Sequence, residues 1–505
     1  MKKLIAYDLG TGGIKASLFT DKGESLADVF IQYETLFPEE RFMEQQPMEW
    51  WEHVCTATGQ LLKRTAVNAA DIAGVALSGH SLVAVPIAGD GSLMLSRVPI
   101  WCDMRAAKEA EELFRVLDYD EWYLTTGNGD PAECYTVTKL MWMKKHQPDI
   151  YQNMNKFLGS KDFINYMLTG RLCTDPSYAS GFGVFNLKEW RYEPDFIRAA
   201  GLREDIFPEI CPSDAIIGTV TEEAARLTGL AKGTPVACGA VDNTCMALGA
   251  RGLKEGVAYT SLGSSSWIAV TSSAPIVDRV TKPFVFAHAK KGYYTSAVSI
   301  FSAGNSLRWI RDHLCRDLKN DTDAYDLMNQ MVETVPAGSN GVMFNPTLAG
   351  GSAQEPSPDL KGGFMGLSLS TAREDLVRAA MEGIAMALRC TLDILLAQTQ
   401  ITGEMLICGG GSKSAVWRQI FADIYNLPVL KTNIDQNAAS LGAAALAANA
   451  CGLWDGYDAI AGIHITESVT QPDPAANHLY EQLLPVYQKW TQQLAELSRL
   501  MTEIR

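Results

Sequence analysis

The eight residues from Asp8 to Lys15 read Asp-Leu-Gly-Thr-Gly-Gly-Ile-Lys and bring an acid, a hydroxyl, three glycines and a cation into one short stretch. Glycine lets backbone amides come close to a ligand because it has no side chain. Amides and a hydroxyl can donate hydrogen bonds to phosphate, while a lysine supplies charge and a carboxylate can face Mg²⁺. The stretch therefore has the parts of a nucleotide phosphate site, although a glycine-rich hairpin with a solvated Lys15 fits the same local pattern.

A second stretch of this kind, Leu262 to Ser265, follows about half a chain length later and shares the Leu-Gly-Thr/Ser core. Apolar, partly β-branched residues flank both stretches, so each is predicted to be a turn between two strands. A strand–turn–strand unit that recurs once at half-length predicts two related domains, each with a phosphate-binding turn. The second copy lacks the acid and the lysine and can only donate hydrogen bonds.

Two other stretches have residue types that could do chemistry. Asp242 follows a short β-type run and a glycine, and it opens an Ala/Leu/Gly-rich helix, where an acid can serve as a capping carboxylate. The triple glycine Gly409 to Gly411 lies between a predicted strand and a predicted helix, where a base or phosphate can approach backbone amides. Its spacing is not that of a GxxxxGKS loop.

Residues suited to a polyol follow predicted strand ends, which is where open α/β sheets place ligand groups. They are His80 and the trio Trp101, Asp103 and Arg105. Histidine and carboxylate can bond hydroxyls, and a flat aromatic ring can cover a carbon skeleton. For His80 alone, a histidine hydrogen-bonded within the core is an equally good interpretation.

Size and composition narrow the class of protein. A chain of 505 residues is too long for one ordinary core, and its net charge of −15 disfavours nucleic acid or an anionic membrane as a partner. Its eleven cysteines form no CxxC pair and no Cys/His cluster, which favours reduced thiols over disulfides or zinc. No apolar run has membrane-spanning length and no signal-peptide core precedes Asp8, so we predict a cytoplasmic protein.

The elements that must position these residues can be outlined from periodicity. A three-stranded meander opens the chain, and a core-facing helix follows Pro47. Residues 106–200 are predicted to be mostly helical. The second half contains a long helix from Asp375 to about Leu396, a tightly packed Ala-rich helix over 437–450 and a C-terminal surface helix over 478–505.

Together these stretches resemble the FGGY family of carbohydrate kinases, most closely its xylulokinase-like branch, over essentially the whole chain. Each motif is weak alone, but their order and spacing are specific. The matching motifs are Asp8-x-Gly10-Thr11 with Lys15, Trp101-x-Asp103-x-Arg105, Leu168-Thr169-Gly170 with Thr174-Asp175, Gly239-x-x-Asp242-Asn243, Leu262-Gly263-Ser264-Ser265, Glu382-Gly383-Ile384-Ala385 and Gly409-Gly410-Gly411-Ser412-Lys413-Ser414 with Trp417 and Gln419.

The resemblance implies an α/β fold of two actin-like, ribonuclease H-like ATPase domains with ATP and sugar in the cleft between them. On this basis we predict an N-terminal domain over 1–248, which holds the sugar and metal, and a C-terminal domain over 249–505, which holds the nucleotide. The half-length repeat agrees with this division.

Roles for individual residues follow from the same resemblance. Asp242 corresponds to the catalytic base, Asp8 to the carboxylate near Mg²⁺ and Lys15 to a phosphate-binding cation. The residues expected to bind ATP are Gly10, Thr11, Gly12, Gly263, Ser264, Ser265, Gly410, Gly411 and Ser414. The residues expected to contact the sugar are Gly79, His80, Trp101, Asp103, Arg105 and Asn243.

The expected function is ATP-dependent phosphorylation of a ketopentose such as xylulose, and the resemblance leaves a homodimer open. Alternatives are the same chemistry on ribulose, erythrulose, gluconate or glycerol, or an actin-like nucleotide-binding regulator without sugar kinase activity. Two departures from the family pattern leave the sugar open. Gly79 stands where xylulokinases usually carry methionine, and the loop after Pro346 has Gly350 to Glu355 and Lys361-Gly362 in place of the usual residues.

Overall fold

The computed structural model describes residues 2–319, 321–435 and 437–504. Two seven-stranded sheets dominate it, one in each half, accompanied by several two-stranded pairs. The strands of the first half are β1 (Lys3–Gly10), β2 (Gly13–Thr20), β3 (Ser25–Gln32), β4 (Glu44–Gln45), β5 (Ile72–Gly79), β6 (Val85–Ala88), β7 (Val98–Pro99), β8 (Met154–Leu158), β9 (Cys173–Thr174), β10 (Phe185–Asn186), β11 (Arg191–Tyr192), β12 (Glu209–Ile210), β13 (Ile216–Thr219), β14 (Pro235–Ala237) and β15 (Ala240–Val241). Those of the second half are β16 (Ala258–Leu262), β17 (Ser266–Ser272), β18 (Phe284–Ala287), β19 (Tyr294–Ile300), β20 (Met343–Asn345), β21 (Gly363–Met365), β22 (Met405–Cys408), β23 (Val429–Thr432) and β24 (Thr466–Thr470).

Helices cover the faces of both sheets. They are α1 (Pro47–Thr65), α2 (Ala107–Leu113), α3 (Tyr119–Thr126), α4 (Thr136–His146), α5 (Pro148–Asn153), α6 (Ser160–Thr169), α7 (Pro176–Ala179), α8 (Pro194–Ala199), α9 (Glu222–Thr228), α10 (Asp242–Gly249), α11 (Gly304–His313), α12 (Ala324–Glu333), α13 (Arg373–Leu396), α14 (Ala415–Tyr425), α15 (Ala438–Ala450), α16 (Ala459–Ile463) and α17 (Pro474–Glu503). The long helix predicted near Asp375, the Ala-rich helix and the C-terminal helix are therefore present. Short strands interrupt the helices of residues 106–200, which the periodicity did not predict.

The two large sheets repeat one arrangement. In the first sheet β1 forms an antiparallel hairpin with β2 and lies parallel to β5 on its other side. In the second sheet β16 forms an antiparallel hairpin with β17 and lies parallel to β22. The strand orders are β13-β14-β5-β1-β2-β3, with β15 also on β5, and β18-β19-β17-β16-β22-β23-β24. The sequence repeat thus corresponds to a repeat of topology.

Helices α10 and α15 connect the two halves. α15 packs on β1 and β5 of the first sheet, although it belongs to the second half of the sequence, and it also packs on α10. The helices approach closely because a Cβ on Gly442 would lie 2.0 Å from the Cys245 carbonyl oxygen. α15 belongs to the second half of the sequence but packs on the first sheet, so a single division at residue 248 does not describe the packing fully. The domain boundaries stay a prediction.

Three further properties concern the class of protein. No helix among the described residues is both long enough and apolar enough to cross a membrane. All eleven cysteines are free thiols, most of them buried or half-buried. The described residues also contain no cluster of three or more His, Cys, Asp or Glu side chains arranged to hold a metal ion.

Candidate active site

The turn between β1 and β2 closes the first hairpin of the first sheet. Gly10 pairs with Gly13, which leaves Thr11 and Gly12 exposed at the tip, and Asp8 pairs with Lys15 across the hairpin. A single tight turn therefore presents backbone amides and a hydroxyl, while an acid and a cation stand side by side below it. The arrangement fits a phosphate site, as the sequence predicted.

Three side chains from other elements hold this turn in place. Gln45 is fully buried and donates from Nε2 to the Thr11 carbonyl oxygen over 2.7 Å, while Trp50 Nε1 donates to Gln45 Oε1. The Tyr33 hydroxyl donates to the Gly10 carbonyl oxygen. Trp101 Nε1 donates to Thr11 Oγ1 over 2.9 Å. The exposed tip is thus fixed from behind and from one side, which preorganises it for a ligand.

Asp8 lies at the end of β1, beside β5. Its Oδ1 accepts a hydrogen bond of 2.7 Å from the Ser78 hydroxyl. Burial raises the pKa of Asp8 above its ordinary value, against the lowering effects of the Ser78 hydrogen bond and of the Lys15 charge. The carboxylate is therefore short of positive charge in this structure, which is the condition in which it would benefit from a cation.

Asp242 begins α10, immediately after β15. The chain can turn into this helix because Gly239 has φ +76°, and a Cβ there would lie 2.1 Å from the Leu77 carbonyl oxygen. β15 pairs with Ser78 and Gly79 at the end of β5, so the start of α10 is brought to the same sheet edge as Asp8. Burial, reinforced by the negative charge of Asp8, raises the pKa of Asp242 to about 7.

A carboxylate with a pKa near 7 can accept a proton in neutral solution, which an ordinary aspartate does poorly. Asp242 Oδ1 accepts a hydrogen bond from the Asn243 amide over 2.8 Å, and both residues are partly exposed toward the cleft. The capping interpretation of Asp242 explains this local bond. It does not explain why the group stands beside a second carboxylate.

His80 is buried directly behind this edge. Its Nδ1 lies 3.2 Å from the Leu9 carbonyl oxygen, its ring packs edge-on against Trp50, and burial lowers its pKa to about 4. Among the described residues its Nε2 has no hydrogen-bond partner. His80 is therefore a neutral imidazole with one polar atom available, and both interpretations of its sequence position hold in part.

Gly79 lies at the end of β5, closely packed against α6. A Cβ at this position would lie 2.8 Å from Ser160 Oγ and 2.9 Å from Lys161 Cβ. A side chain here would therefore run into α6. The absence of a side chain leaves room for α6 to approach β5, and a contact of Gly79 with the sugar stays a prediction.

The trio of Trp101, Asp103 and Arg105 separates into two roles. Trp101 is 42% exposed and contacts the phosphate turn, whereas Asp103 is fully buried and Arg105 nearly so. Asp103 accepts hydrogen bonds from Arg105 and from the Met43 amide, and Arg105 also pairs with Glu44 at 2.7 Å. These bonds tie the two charged groups to each other and to Glu44, and a contact of Asp103 or Arg105 with the sugar stays a prediction. They join the Trp101 segment to the segment that carries Gln45.

The second domain contributes the turn Gly263 to Ser265 between β16 and β17. Ser264 and Ser265 are exposed, and the start of α11 holds the turn from below: the Gly304 amide donates to the Gly263 carbonyl oxygen and the Ala303 amide to that of Ser264. This turn therefore stands at the same topological position as the β1–β2 turn. It carries hydroxyls and amides without a charged side chain, as predicted.

The triple glycine follows β22. Gly409 has φ +91°, and a Cβ there would lie 2.7 Å from the Leu262 carbonyl oxygen, so the loop packs against the end of β16. A short 3₁₀ turn, Gly410–Lys413, follows and comes before α14. Gly410 has an open Cβ direction, with nothing within 4 Å, which leaves its surface accessible. The Ser414 hydroxyl caps α14 and donates to Asn329 Oδ1.

Lys15 and three residues that the sequence reasoning missed complete the site. Lys15 Nζ donates to Asn437 Oδ1 over 2.8 Å, although the two residues are 422 positions apart. The sequence gives no local signal for Tyr33 or Asn437, because each acts through a hydrogen bond to a distant residue. For Gln45, its position just before a tryptophan-rich helix is the one signal in the sequence that could have drawn attention to it.

Comparisons with known proteins agree with this geometry. The model of the N-terminal domain of the FGGY family of carbohydrate kinases matches residues 4–249, and the model of its C-terminal domain matches residues 258–451. The chain belongs to the FGGY family of carbohydrate kinases. It is therefore an enzyme that transfers phosphate from ATP to a carbohydrate.

Individual relatives match along the whole chain. A xylulose kinase of Bacillus subtilis (strain 168) is 27% identical over 507 residues, which cover 100% of each protein. A gluconokinase of Bacillus licheniformis is 27% identical over 497 residues, 96% of this chain and 94% of the relative. The crystal structure of xylulose kinase from Rhodospirillum rubrum aligns with a TM-score of 0.89 and 26% identity, covering 99% of this chain and 100% of that one. The predicted two-domain fold is confirmed, and the relatives' names specify two different sugars.

Proposed function

We propose that this enzyme transfers the γ-phosphate of ATP to a hydroxyl of xylulose, giving xylulose 5-phosphate. The observation that carries the chemistry is the Asp8–Asp242 pair, in which the pKa of Asp242 is raised to about 7 at the edge of the cleft. The named xylulose kinases that match the full chain support the choice of sugar.

Asp242 is the general base in this proposal. The attacking hydroxyl would stand within hydrogen-bond reach of its carboxylate, which orients the hydroxyl and accepts its proton late in the transfer. Phosphoryl transfer has a loose transition state, so positioning and charge neutralisation matter more than a strongly basic group. A group whose pKa lies near neutrality meets that need at physiological pH.

Mg²⁺ is expected to accompany ATP, and the donors present fit it. Magnesium commonly keeps several waters and takes one or two carboxylates together with substrate phosphates, so it needs no dedicated protein cage. Asp8 would face the ion, since this carboxylate is buried with its pKa raised and would gain from added positive charge. When bound, the ion would neutralise charge on the phosphate oxygens.

The ATP phosphates would lie between the two turns. Thr11, with Gly10 and Gly12, would donate from one domain together with Lys15, and Gly263, Ser264 and Ser265 would donate from the other. Exposed amides at both tips support this assignment. The open surface at Gly410, beside Gly411 and the helix cap Ser414, would receive the adenosine.

The charges around the sugar side favour a neutral sugar over gluconate. Asp8 and Asp242 would repel the carboxylate of gluconate, so a cation would be needed to hold it. The buried cations of this side are already bonded: Arg105 to Asp103 and Glu44, Lys139 to the carbonyl oxygens of Leu82 and Ile100, and Lys161 to Asp162 and Asp175. A ketose instead offers hydroxyls to His80 Nε2 and Asn243 and a carbon skeleton to Trp101.

The experiment is an ADP-release assay with xylulose, ribulose, erythrulose, glycerol and gluconate, each at several concentrations. We expect the highest kcat/KM with xylulose, and we expect Asp242→Asn to lower kcat by at least about a hundredfold while the protein stays folded. Near wild-type turnover in Asp242→Asn would disprove the assigned base. Preference for gluconate would overturn the sugar assignment, and ATP hydrolysis unaffected by every sugar would favour the actin-like regulator.

Two further parts of the proposal concern the setting of the enzyme. We place it in the cytoplasm, where ATP is available and where the absence of disulfides among its eleven cysteines is expected.

We also propose a homodimer, supported by exposed apolar side chains on α17 such as Leu497 and Leu500. Light scattering coupled to size-exclusion chromatography tests this, and a mass near that of one chain would reject it.

A further inference from the structure

Lys15 makes a contact that its phosphate role does not require. Its Nζ donates to Asn437 Oδ1 over 2.8 Å, and Asn437 directly precedes α15. The partner is a neutral amide, so it can orient the ammonium without cancelling its charge. A carboxylate at the same position would instead form an ion pair and compete with phosphate for Lys15.

Asp435, two positions earlier, holds the opposite end of the nucleotide site. Its Oδ1 accepts a hydrogen bond of 2.8 Å from the Gly409 amide and one of 3.3 Å from the Ser412 hydroxyl. Gly409 and Ser412 belong to the loop assigned to adenosine. The side chains of Asp435 and Asn437 therefore contact the adenosine loop and the phosphate lysine, respectively, which lie on different domains.

The helix that follows gives this segment a rigid base. α15 packs on β1 and β5, and it crosses α10 so closely that a Cβ on Gly442 would collide with the Cys245 carbonyl oxygen and a Cβ on Gly249 with the Ala438 carbonyl oxygen. α10 begins with Asp242. Asn437, which directly precedes α15, is thus anchored to the same packed unit that carries the proposed base.

We propose that Asp435 and Asn437 are positioning residues that set the distance between the adenosine loop and Lys15, so that one nucleotide can span both. This rests on the proposed function, in which Lys15 meets the phosphates of ATP. Asn437 acts through Lys15 and therefore affects only ligands with phosphates. Asp435 acts through the glycine loop and affects the adenosine part of any ligand.

The test measures the Kd of ATP and of adenosine by calorimetry on the full-length protein. Asn437→Asp adds a carboxylate beside Lys15, so we expect the Kd of ATP to rise about five- to tenfold and that of adenosine to change less than twofold. Lys15→Ala should weaken the binding of ATP but not the binding of adenosine. In the Lys15→Ala background the added Asn437→Asp change should have less than a twofold effect, because its partner is gone.

Asp435→Ala should raise the Kd of ATP and the Kd of adenosine by similar factors. Asp435→Asn keeps an oxygen acceptor for the Gly409 amide, so it should retain most of both affinities. Asn433→Asp is the matched control, since it adds the same charge nearby while Asn433 Oδ1 faces the Ile465 amide. This control should leave both affinities within twofold.

The outcomes separate the inference from the function on which it rests. Suppose that Lys15→Ala raises the Kd of ATP but Asn437→Asp does not, or that Asn437→Asp raises the Kd of ATP by the same factor in the Lys15→Ala background. Either result would show that the positioning role of Asn437 is wrong, while the phosphate role of Lys15 would stand. If Lys15→Ala leaves the Kd of ATP unchanged, both are wrong. Equal weakening of ATP and adenosine by Asn437→Asp would show a general structural effect and overturn the inference.

Discussion

At the scale of single residues, the site depends on two aspartates that share one environment and differ in their partners. Asp8 has a hydroxyl and a lysine beside it, whereas Asp242 accepts a hydrogen bond from the backbone amide of Asn243. Burial acts on both carboxylates, and the charge of Asp8 adds to its effect on Asp242. This difference supports the proposal that Asp8 faces Mg²⁺ and that Asp242 accepts the proton of the sugar hydroxyl.

The first prediction is a pH dependence. Because Asp242 must be ionised to accept a proton and its pKa is raised to about 7, kcat/KM for the sugar should fall about tenfold per pH unit below pH 7 and level off above it. A profile from pH 5.5 to 8.5 at constant ionic strength measures this. A profile without a break between pH 6 and 8 would contradict the assignment.

The same shift predicts a stability effect. The folded pKa of Asp242 lies above the ordinary value, so folding favours the protonated form, and the charged carboxylate costs increasing stability as the pH rises toward 7. Asp242→Asn removes this cost. We expect its melting temperature to exceed that of the wild type by about 1–3 °C at pH 8 and by less at pH 5.5, measured without nucleotide or metal. A larger gain at the lower pH would reject the raised pKa.

At the scale of elements, two glycines have different roles: one allows two helices to pack closely, and the other is proposed to leave room for a ligand. Gly442 lies where α15 crosses α10, and a Cβ would lie 2.0 Å from the Cys245 carbonyl oxygen, whereas Gly410 has nothing within 4 Å of its Cβ direction. Gly442→Ala should therefore cost about 2 kcal/mol or more and lower the melting temperature. Gly410→Ala should leave the melting temperature within about 1 °C but raise KM for ATP several-fold, since the methyl group would stand where adenosine is proposed.

Thermal melts and initial-rate kinetics on the two alanine variants check this pair, and each serves as the control for the other. Equal destabilisation would mean that the loop at Gly410 is packed rather than open. Unchanged KM for ATP in Gly410→Ala would remove Gly410 from the adenosine site without affecting the packing result.

Elements were easier to predict from the sequence than contacts. Alternating apolar residues and a shared Leu-Gly core suffice to predict the two hairpins and their repeat, because local periodicity determines these features. The sequence could not show that Asp103 and Arg105 pair with each other, because the same polar residues can face a ligand or one another. Gln45 and Asn437 act through hydrogen bonds 34 and 422 positions along the chain, which no local pattern contains.

At the scale of the whole molecule, the site is divided between two sheets that share the α10–α15 contact. Lys15, Asp8 and Asp242 lie with the first sheet, while the Gly263–Ser265 turn and the glycine loop lie with the second. Ligands that touch both sides stabilise the closed arrangement only when their contacts to each domain are made together. Closure would also exclude water, which limits ATP hydrolysis without sugar.

The last prediction follows from this division. A chain of this length has a radius of gyration of about 23 Å, and closing a cleft between two halves should reduce it by roughly 1 Å. Small-angle scattering should show this decrease with xylulose and a non-hydrolysable ATP analogue together, and a smaller change with either alone, because each touches fewer of the facing groups. The same decrease with the analogue alone would mean that nucleotide closes the cleft without sugar. In that case the open site would not limit ATP hydrolysis, and the limit would have to come from Asp242 lacking its hydroxyl partner.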